Sequence, residues 1–259
     1  MTVVTVVRGG LARAVAVLGI GLLATACTVV TGGKAQPPPR LMPRSLTGQA
    51  ITEVLVGDKT LSRILNQPFV IDSRLPPRFG GPETLQDLAS SSPADCLGVA
   101  EMLHQSAYGA SKVDDVAVET WRHAAIPAQL TSIKEGVVSL PTAADANALF
   151  SKFSQQWQRC DGHTVVLPDE VFRLKAEITN VQVAPSVLAG TVSIAFDSPH
   201  PDSASIPAGR AIGVRDNCLV EVEVDFFNIS TRSLQGSSVT NATAFDIAHL
   251  MMDRVSALS

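Results

Sequence analysis

The sequence has little charge and few cysteines, and both shortages exclude classes of protein. Charged residues make up 17% of the 259 residues, and the formal net charge is −4. No Lys- or Arg-rich run occurs, so we expect no nucleic-acid partner. Four cysteines without a Cys-x-x-Cys pair exclude a small disulfide scaffold and a zinc or thioredoxin motif. Hydrophobic residues reach 46%, which predicts a globular protein.

Short motifs that mark common active sites are also missing. The sequence contains no Gly-x-Ser-x-Gly turn, no His-Glu-x-x-His, no P-loop and no Gly-x-Gly-x-x-Gly. No histidine has a second histidine or a cysteine at the spacing of metal ligands, so we expect no catalytic residue, metal or cofactor. We expect His104 and His249 to lie at the surface or its boundary. A Ser–His–Asp triad can be dispersed along a sequence, so a hydrolase is kept as a third hypothesis.

The first 27 residues resemble the signal peptide of a bacterial lipoprotein. Two arginines precede an apolar run over residues 14–24, which is shorter than the ~18 residues that a membrane span needs. The run ends in Leu-Ala-Thr-Ala-Cys at 23–27, similar to a lipobox, with Ala24 where leucine is usual. The resemblance implies removal of residues 1–26 and acylation of Cys27, palmitate included. The alternative is an ordinary secretory peptide in which this cysteine is incidental.

Two acyl chains or more would hold the mature chain on the outer side of the cell membrane. Residues 27–48 contain Pro37-Pro38-Pro39 and Pro43, which favour an extended polyproline tether. No internal repeat or shift of composition follows, so we predict one domain over residues 49–259.

The first part of this domain predicts a helix and a loop. Asp58 followed by Lys59–Leu65 is typical of a short capped helix. Residues 68–91 hold prolines and glycines clustered between Pro77 and Pro82 and show no sustained period, so we predict a long loop.

Two later stretches predict amphipathic helices that each carry a cysteine on the apolar face. Ser92-Pro-Ala-Asp95 favours a helix start, and apolar residues then recur at helical spacing from Cys96 to Leu103. A second capping start at Thr142 opens a helix whose apolar stripe ends in Cys160. Because both thiols point inward in an oxidising compartment, we pair Cys96 with Cys160. Closing a loop of this length contributes about 4 kcal/mol in the chain-entropy treatment.

Cys218 is left without a partner by this pairing. We expect it to be a buried small hydrophobe, and the alternative is a free thiol that is reactive or pairs between molecules. Tyr108 and Trp121 are expected to pack in the core, with the lining of a cleft as their alternative.

The second half of the chain predicts strands. Residues 129–140 are typical of a strand, and apolar residues alternate over 192–196 and again over 220–226, where Glu221, Glu223 and Asp225 fill the other face. We expect that second face to be acidic and exposed, as in an antiparallel sheet, with cation binding as the minor alternative. Arg215-Asp-Asn217 predicts the hairpin turn, and a helix over 241–257 closes the chain. The order of elements favours an α+β fold.

Four segments together resemble the PknH-like extracellular sensor domain family. They are Ser92–Cys96, PTAADANALFSKFSQQWQRC at 141–160, GRAIGVRDNCLVEVEVDFFN at 209–228, and the closing AFDIAHLMMDRV. The resemblance covers about residues 49–258. It implies an antiparallel β-sheet flanked by helices, a cleft suited to an undefined ligand, and the Cys96–Cys160 disulfide. Family members often carry a second disulfide in the C-terminal half, for which this chain has only Cys218.

The family occurs in mycobacterial-type envelopes, as the sensor part of receptor kinases and as stand-alone lipoproteins, and this chain resembles the second kind. Our first hypothesis is a lipid-anchored, non-enzymatic envelope protein with a sensor-type domain that binds an envelope small molecule, lipid or glycan. Loops at 68–91 and 197–210 would form the rim of its cleft. The second hypothesis is a module that binds another envelope protein.

Overall fold

The computed structural model describes residues 44–86, 94–126, 128–168, 173–197, 205–226 and 237–259. The signal peptide, Cys27, most of the tether and the Ser92-Pro93 helix start lie outside these residues. Within them, no helix is both long enough and apolar enough to cross a bilayer.

A nine-stranded antiparallel sheet forms the centre of the described fold. Its spatial order is β1-β3-β4-β9-β8-β7-β6-β5, and β2 also pairs with β3. The strands are β1 Phe69–Ile71, β2 Arg78–Gly80, β3 Asp115–His123, β4 Leu130–Ser139, β5 Thr164–Pro168, β6 Arg173–Val183, β7 Val187–Phe196, β8 Ile206–Arg215 and β9 Cys218–Phe226. The predicted turn joins β8 to β9, with Asp216 in the left-handed region at φ 49°. The α+β fold class is therefore confirmed.

Helices cover both faces of this sheet. They are α1 Asp58–Leu65, α2 Leu97–Ala100, α3 Gln105–Tyr108, α4 Ala143–Cys160 and α5 Ser237–Leu258, with short 3-10 helices at Gly48–Val54, Pro82–Thr84 and Ala94–Cys96. The first turn of α4 is capped as predicted, because the Thr142 hydroxyl accepts a hydrogen bond from the Asp145 N–H at 3.1 Å. In α1 the capping position is Gly57, so Asp58 lies in the first turn and does not cap it.

Strand alternation divides the buried side chains into two cores. One core joins α2, α3 and α4 to the sheet face that carries Val138, Ile212 and Leu219; we name this the α4 face. The other core joins α1, α5 and the 3-10 helix Gly48–Val54 to the face that carries Val137 and Val220; we name this the α5 face. In β9, for example, odd-numbered residues such as Leu219 face the α4 side of the sheet, and even-numbered residues such as Val220 face the α5 side.

The prediction of a long loop over 68–91 is wrong at β1, β2 and the 3-10 helix Pro82–Thr84, which interrupt the part that the structure describes. β1 pairs with residues 121–123 of β3, and β2 pairs with residues 116–118 of the same strand. Each strand has three residues, which is too short for a period to show in the sequence. Pro68, Pro77 and Pro82 all fall outside the strands, where a missing N–H does not interrupt a ladder.

The helix predicted from Cys96 to Leu103 is also shorter than expected. It begins as a 3-10 turn, ends as α2 at Ala100, and Leu103 adopts the left-handed region at φ 57°. The turn has a physical reason, since it aims the Leu103 N–H at the buried carboxylate of Glu221, 3.3 Å away. The apolar residues of the pattern are nevertheless all buried; they are Cys96, Val99, Ala100 and Leu103.

The cysteines lie where the apolar pattern placed them. Cys96 and Cys160 form a disulfide that joins the 3-10 turn before α2 to the last residue of α4. Cys218 is a free thiol at the start of β9 and is buried in the core of the α5 face. Burial raises the pKa of the Cys218 thiol to about 12, so almost no thiolate forms at neutral pH.

The segment Leu46–Gly57 is fastened across the α5 face. Leu46 lies within the predicted tether but is buried, and its N–H and carbonyl both bond to the Asn217 side chain, at 2.8 and 2.9 Å. The Arg254 guanidinium donates to the carbonyls of Leu55 and Val56. The Val56 N–H donates to the Glu135 carboxylate at 3.2 Å. These bonds make the segment an integral part of the fold.

Glu135 is a carboxylic acid that is buried beneath this segment. It is fully buried on the α5 face, where it also accepts a hydrogen bond from Trp121 Nε1 at 3.2 Å. Loss of hydration raises the pKa of Glu135 to about 7, although the bonds from Trp121 and Val56 oppose the rise. Glu119 lies directly opposite on β3 and adds a smaller repulsion.

We predict that Glu135→Gln removes a pH-dependent loss of stability. The pKa of Glu135 is about 7 in the folded state and 4.5 as an ordinary value. The folded wild type is therefore most stable below pH 4.5, and it loses stability as the pH rises from 4.5 through 7. The variant should gain on the order of 3 kcal/mol relative to wild type between pH 4.5 and 8. Urea unfolding at both pH values measures this difference. Glu53→Gln, an exposed change in the same segment, is the control; an equal pH slope in wild type and Glu135→Gln would contradict the prediction.

Candidate functional site

The α4 face of the sheet is covered at one end and open at the other. Along β9, Glu221 is buried, whereas Glu223 and Asp225 are half-buried. Along β7, Val192 is buried and Phe196 is 57% exposed. Both strands run in the same direction, so their exposed ends lie at the same end of the sheet. Among the described residues, no helix covers this end of the α4 face, and we call it the open floor.

A buried ion pair marks the border between the covered half and the open floor. Arg210 of β8 is fully buried, and its Nη2 lies 2.9 Å from Glu221 Oε2. Arg210 Nη1 donates to the Val99 carbonyl at 3.1 Å. Glu221 accepts further bonds from the Tyr108 hydroxyl at 2.5 Å and the Leu103 N–H. One ion pair thus ties two strands of the sheet to α2, α3 and the turn between them.

The expectation of an exposed acidic face is therefore wrong for Glu221. The residues around α2 and α3 cover this part of β9, and Arg210 supplies the opposite charge that burial requires. Burial raises the pKa of Glu221, and the adjacent Arg210 guanidinium is the strongest opposing influence. The Glu221 carboxylate is the counter-charge of the Arg210 guanidinium. Burial and the same carboxylate raise the pKa of Tyr108 well above 10.

We predict that Arg210→Met is far more damaging than the loss of an exposed arginine. Removing one member leaves the Glu221 carboxylate buried without a counter-charge, at about 3–5 kcal/mol of unfolding free energy. Arg210→Met combined with Glu221→Gln should cost clearly less than the sum of the single changes. Arg173→Met, which breaks an exposed pair with Asp197, should leave the unfolding free energy almost unchanged. Urea unfolding measures all four; strictly additive costs would contradict the prediction.

Two adjoining pockets lie over the open floor along β3 and β4. The larger has a volume of about 620 Å³ and is lined by Asp72, Ser73, Arg74, Arg122, His123, Thr131 and Ser132. The other has a volume of about 520 Å³ and is lined by Arg74, Leu75, Pro76, Arg78, Leu85, Gln86, Val118, Thr120 and Lys134. Their outer wall is formed by residues 72–86, part of the segment that was expected to form a cleft rim. The second expected rim, 197–210, lies partly outside the described residues.

Arg74 lines both pockets and is oriented there by an ion pair with Asp72. Its Nε and Nη2 donate to the two carboxylate oxygens of Asp72, at 3.0 and 2.6 Å. Asp72 is buried, and the hydrogen bonds from Arg74 lower its pKa to about 2. The ion pair therefore persists at every physiological pH, and it fixes the guanidinium at the junction of the pockets.

Acidic side chains occupy the neighbouring part of the open floor. Burial, followed by repulsion from Glu223, raises the pKa of Asp225 to about 6, while the Ser132 hydroxyl donates to Asp225 and opposes the rise. Burial and Glu223 also raise the pKa of Glu101. The positive charge of Lys134 acts in the opposite sense on both carboxyls. Lys134 therefore lies between an acidic group and a pocket with basic walls.

The structure does not assemble Glu221, Glu223 and Asp225 into a cation site. Glu221 is committed to Arg210, and Asp225 is bonded to Ser132. Among the residues that the structure describes, no group of three or more His, Cys, Asp or Glu could hold a metal ion.

His104 is buried, which corrects the expectation that it lies at the surface. Its Nδ1 lies 2.7 Å from the Ser106 hydroxyl and also accepts a bond from the Ser106 N–H. His104 is the N-terminal cap of α3, so capping accounts for this Ser–His contact. His104 Nε2 is buried without a hydrogen-bond partner in the described part of the chain, so no acidic group completes a triad there. His249 is half-buried against the Phe245 ring.

Tyr108 and Trp121 both belong to the core. Tyr108 packs edge-on against Phe153 of α4, with ring centroids 5.3 Å apart, and Trp121 lies in the core of the α5 face. Sequence patterns did not single out Arg74, Arg78 or Lys134. Their proximity depends on strand pairing, which the sequence does not show; Lys134, for example, stands opposite Thr120 across the β3–β4 pair.

Fold and site together define an α+β domain with a charged, open cleft on one face of its sheet. The chain belongs to the family of PknH-like extracellular domains, whose family model matches residues 46–254. The fold is similar to the crystal structure of the extracellular domain of PknH from Mycobacterium tuberculosis, with a TM-score of 0.65 and 16% identity. That match covers 83% of this chain and all of the other.

Two further solved structures are more distant. A Mycobacterium smegmatis protein has a TM-score of 0.38 and 11% identity, and covers 80% of this chain and 96% of its own. A hypothetical protein from Helicobacter pylori has a TM-score of 0.27 and 11% identity, over 49% of this chain and 86% of its own. These two values are too low to support a shared fold. A comparison with curated protein sequences finds no match.

Proposed function

We propose that this chain is a lipid-anchored envelope protein whose sensor-type domain binds a small ligand in the open cleft and performs no chemistry on it. The observation that carries the proposal is the open floor itself, since the described helices leave this end of one sheet face uncovered beside two adjoining pockets. Their volumes of about 520 and 620 Å³ fall in the range of sites for small organic ligands.

The walls of the cleft favour binding over catalysis. Apolar side chains such as Leu85 and Val118 stand opposite polar groups that include Thr120 and Lys134, a common composition of small-molecule sites. The Ser106–His104 contact is accounted for by the cap of α3, so it supplies no activated nucleophile. Membership in a family of extracellular domains supports the same function for this chain.

The border ion pair offers a route by which an occupied cleft could alter the rest of the domain. Glu223 lies on the open floor, and its carboxylate is 3.5 Å from Arg210 Nη1. Arg210 in turn bonds to Glu221 and the Val99 carbonyl of α2. A ligand that displaces Glu223 would therefore change the field at the buried pair, which is the sort of coupling that a sensor needs.

We predict that Cys27 carries the lipid. Cells fed an alkyne analogue of palmitate should label the wild-type chain, and Cys27→Ser should lose the label, because it removes the acceptor sulfur. Cys218→Ser is the matched control and should keep the label, because Cys218 is buried in the folded domain. Mass spectrometry of the mature N-terminus identifies the cleavage site. Labelling that survives Cys27→Ser would contradict the anchor.

We also predict that fractions of an envelope extract raise the melting temperature of the domain by occupying the cleft. Gln86 lines the pocket of about 520 Å³, so Gln86→Trp should fill that space and abolish the shift. Gln158→Trp places the same bulk on the exposed side of α4 and should preserve the shift. Thermal unfolding followed by fluorescence measures both. A complete set of fractions without any shift in the wild type would contradict ligand binding.

Binding of a partner protein is a second candidate function. Phe196 and Ile206 are 57% and 49% exposed at the ends of neighbouring strands, on the apolar side of the open floor. Exposed apolar side chains that adjoin one another are typical of docking surfaces. A protein that docks there would not need the pocket beside Gln86, so its binding should survive Gln86→Trp.

A further inference from the structure

One of the two pockets has basic and apolar walls and no acidic side chain in the part that the structure describes. Arg74, Arg78 and Lys134 all line the pocket of about 520 Å³. No carboxylate is among the described lining residues. Asp72 pairs with Arg74 from the adjoining pocket, and Glu223 lies opposite Lys134 across the β4–β9 pair, so positive charges outnumber negative ones only within the lining of this pocket. On the outer wall, Asp72 lines the adjoining pocket and is engaged with Arg74.

Arg74 is oriented for a further acceptor. Its two bonds to Asp72 use Nε and Nη2, so Nη1 is not needed for that pair. A guanidinium whose rotamer is already fixed loses less conformational freedom when it binds an anion. The Arg74 side chain is 80% exposed, and its pairing with Asp72 orients it at the junction of the pockets.

The floor adds two more groups that suit an anion. Lys134 supplies an ammonium group. Thr120, its neighbour across the β3–β4 pair, also lines the pocket and carries a hydroxyl group. Arg78 is exposed on the outer wall and, among the described residues, forms no ion pair within 4 Å. Arginine and lysine side chains that converge on one space are the usual recognition elements for phosphate and carboxylate groups.

Apart from Gln86, the remaining walls of the same pocket are apolar. Leu75 and Pro76 lie on the outer wall, and Leu85 and Val118 lie on the inner side. Leu85 and Val118 are already buried, whereas Leu75 and Pro76 are exposed, so a small inorganic anion would leave Leu75 and Pro76 in contact with water. A ligand that places hydrocarbon against them would gain from the burial of apolar surface.

We propose that this pocket binds an anionic amphiphile, with a phosphate- or carboxylate-type head against Arg74, Arg78 and Lys134 and an apolar portion against Leu75 and Pro76. This inference rests on the proposed function, because it names the class of ligand that the open cleft receives. The ligand can reach the pocket as a free molecule or as a lipid held in a bilayer, and both present the same head and the same apolar portion.

The test uses the full chain with Cys27→Ser, which leaves every described residue unchanged. Isothermal titration compares dihexanoyl phosphatidic acid with dihexanoyl phosphatidylcholine, which has the same acyl chains but a head without net charge. A third titration uses inorganic phosphate, which has no apolar portion. We expect the phosphatidic acid to bind at least about tenfold more tightly than either, with an affinity that falls as salt is raised.

Substitutions then locate the site. Arg78→Gln and Lys134→Gln should each weaken the binding of dihexanoyl phosphatidic acid about tenfold, since each removes a charged donor from the pocket. Arg63→Gln removes an exposed arginine from α1, on the other side of the sheet, and should leave binding unchanged. Arg74→Gln is less informative alone because it also strips Asp72 of its partner, so Arg74→Lys accompanies it as the conservative variant.

The outcomes separate this inference from the proposed function. Equal binding of the two short-chain lipids, or equal binding of inorganic phosphate, would overturn the anionic amphiphile. If neither lipid binds while envelope fractions still raise the melting temperature, the inference fails and the proposed function stands. If no fraction acts either, both fail. Sedimentation with phosphatidylcholine vesicles that contain phosphatidic acid distinguishes capture from a bilayer, where the protein pellets, from binding of free ligand alone.

Discussion

The buried pair of Arg210 and Glu221 is the interaction on which the rest of the domain depends. A full positive charge in the middle of a sheet is tolerated only when a carboxylate and further hydrogen bonds accompany it. Those bonds come from Tyr108, the Leu103 N–H and the Val99 carbonyl, so the pair dictates where the α2–α3 region must lie. The disulfide then joins that region to α4. The covered half of the α4 face ends at this pair, and the open floor begins beside it.

Local patterns were enough to predict several elements. The cap of α4, the strand over 130–139, the turn at Asp216 and the apolar stripes that bury Cys96 and Cys160 depend mainly on neighbours in sequence. Elements fixed by distant partners were missed. The three-residue strands β1 and β2 exist because β3 offers them an edge, and α2 ends early because Leu103 must meet Glu221. Neither cause is visible in a short window of sequence.

The candidate site shows the same limit in sharper form. Alternation along β9 correctly separated Val220 from Glu221, but it could not tell a wet face from one that a second layer covers. Arg74 and Lys134 are far apart in sequence and follow no motif, so only the pairing of β3 with its neighbours brings them to one pocket. The expectation that residues 68–91 border a cleft nevertheless agrees with the position of residues 72–86 along its outer wall.

The fastening of Leu46 to Asn217 has a mechanical consequence. Asn217 lies in the β8–β9 turn, at the covered end of the strands, whereas the cleft opens at the other end. A nine-residue strand separates the two by roughly 25–30 Å. A load applied to the chain upstream of Leu46 would be borne by Asn217, Arg254 and Glu135, on the far side of the sheet. Tension on the chain before Leu46 and ligand binding in the cleft would thus act on different parts of the molecule.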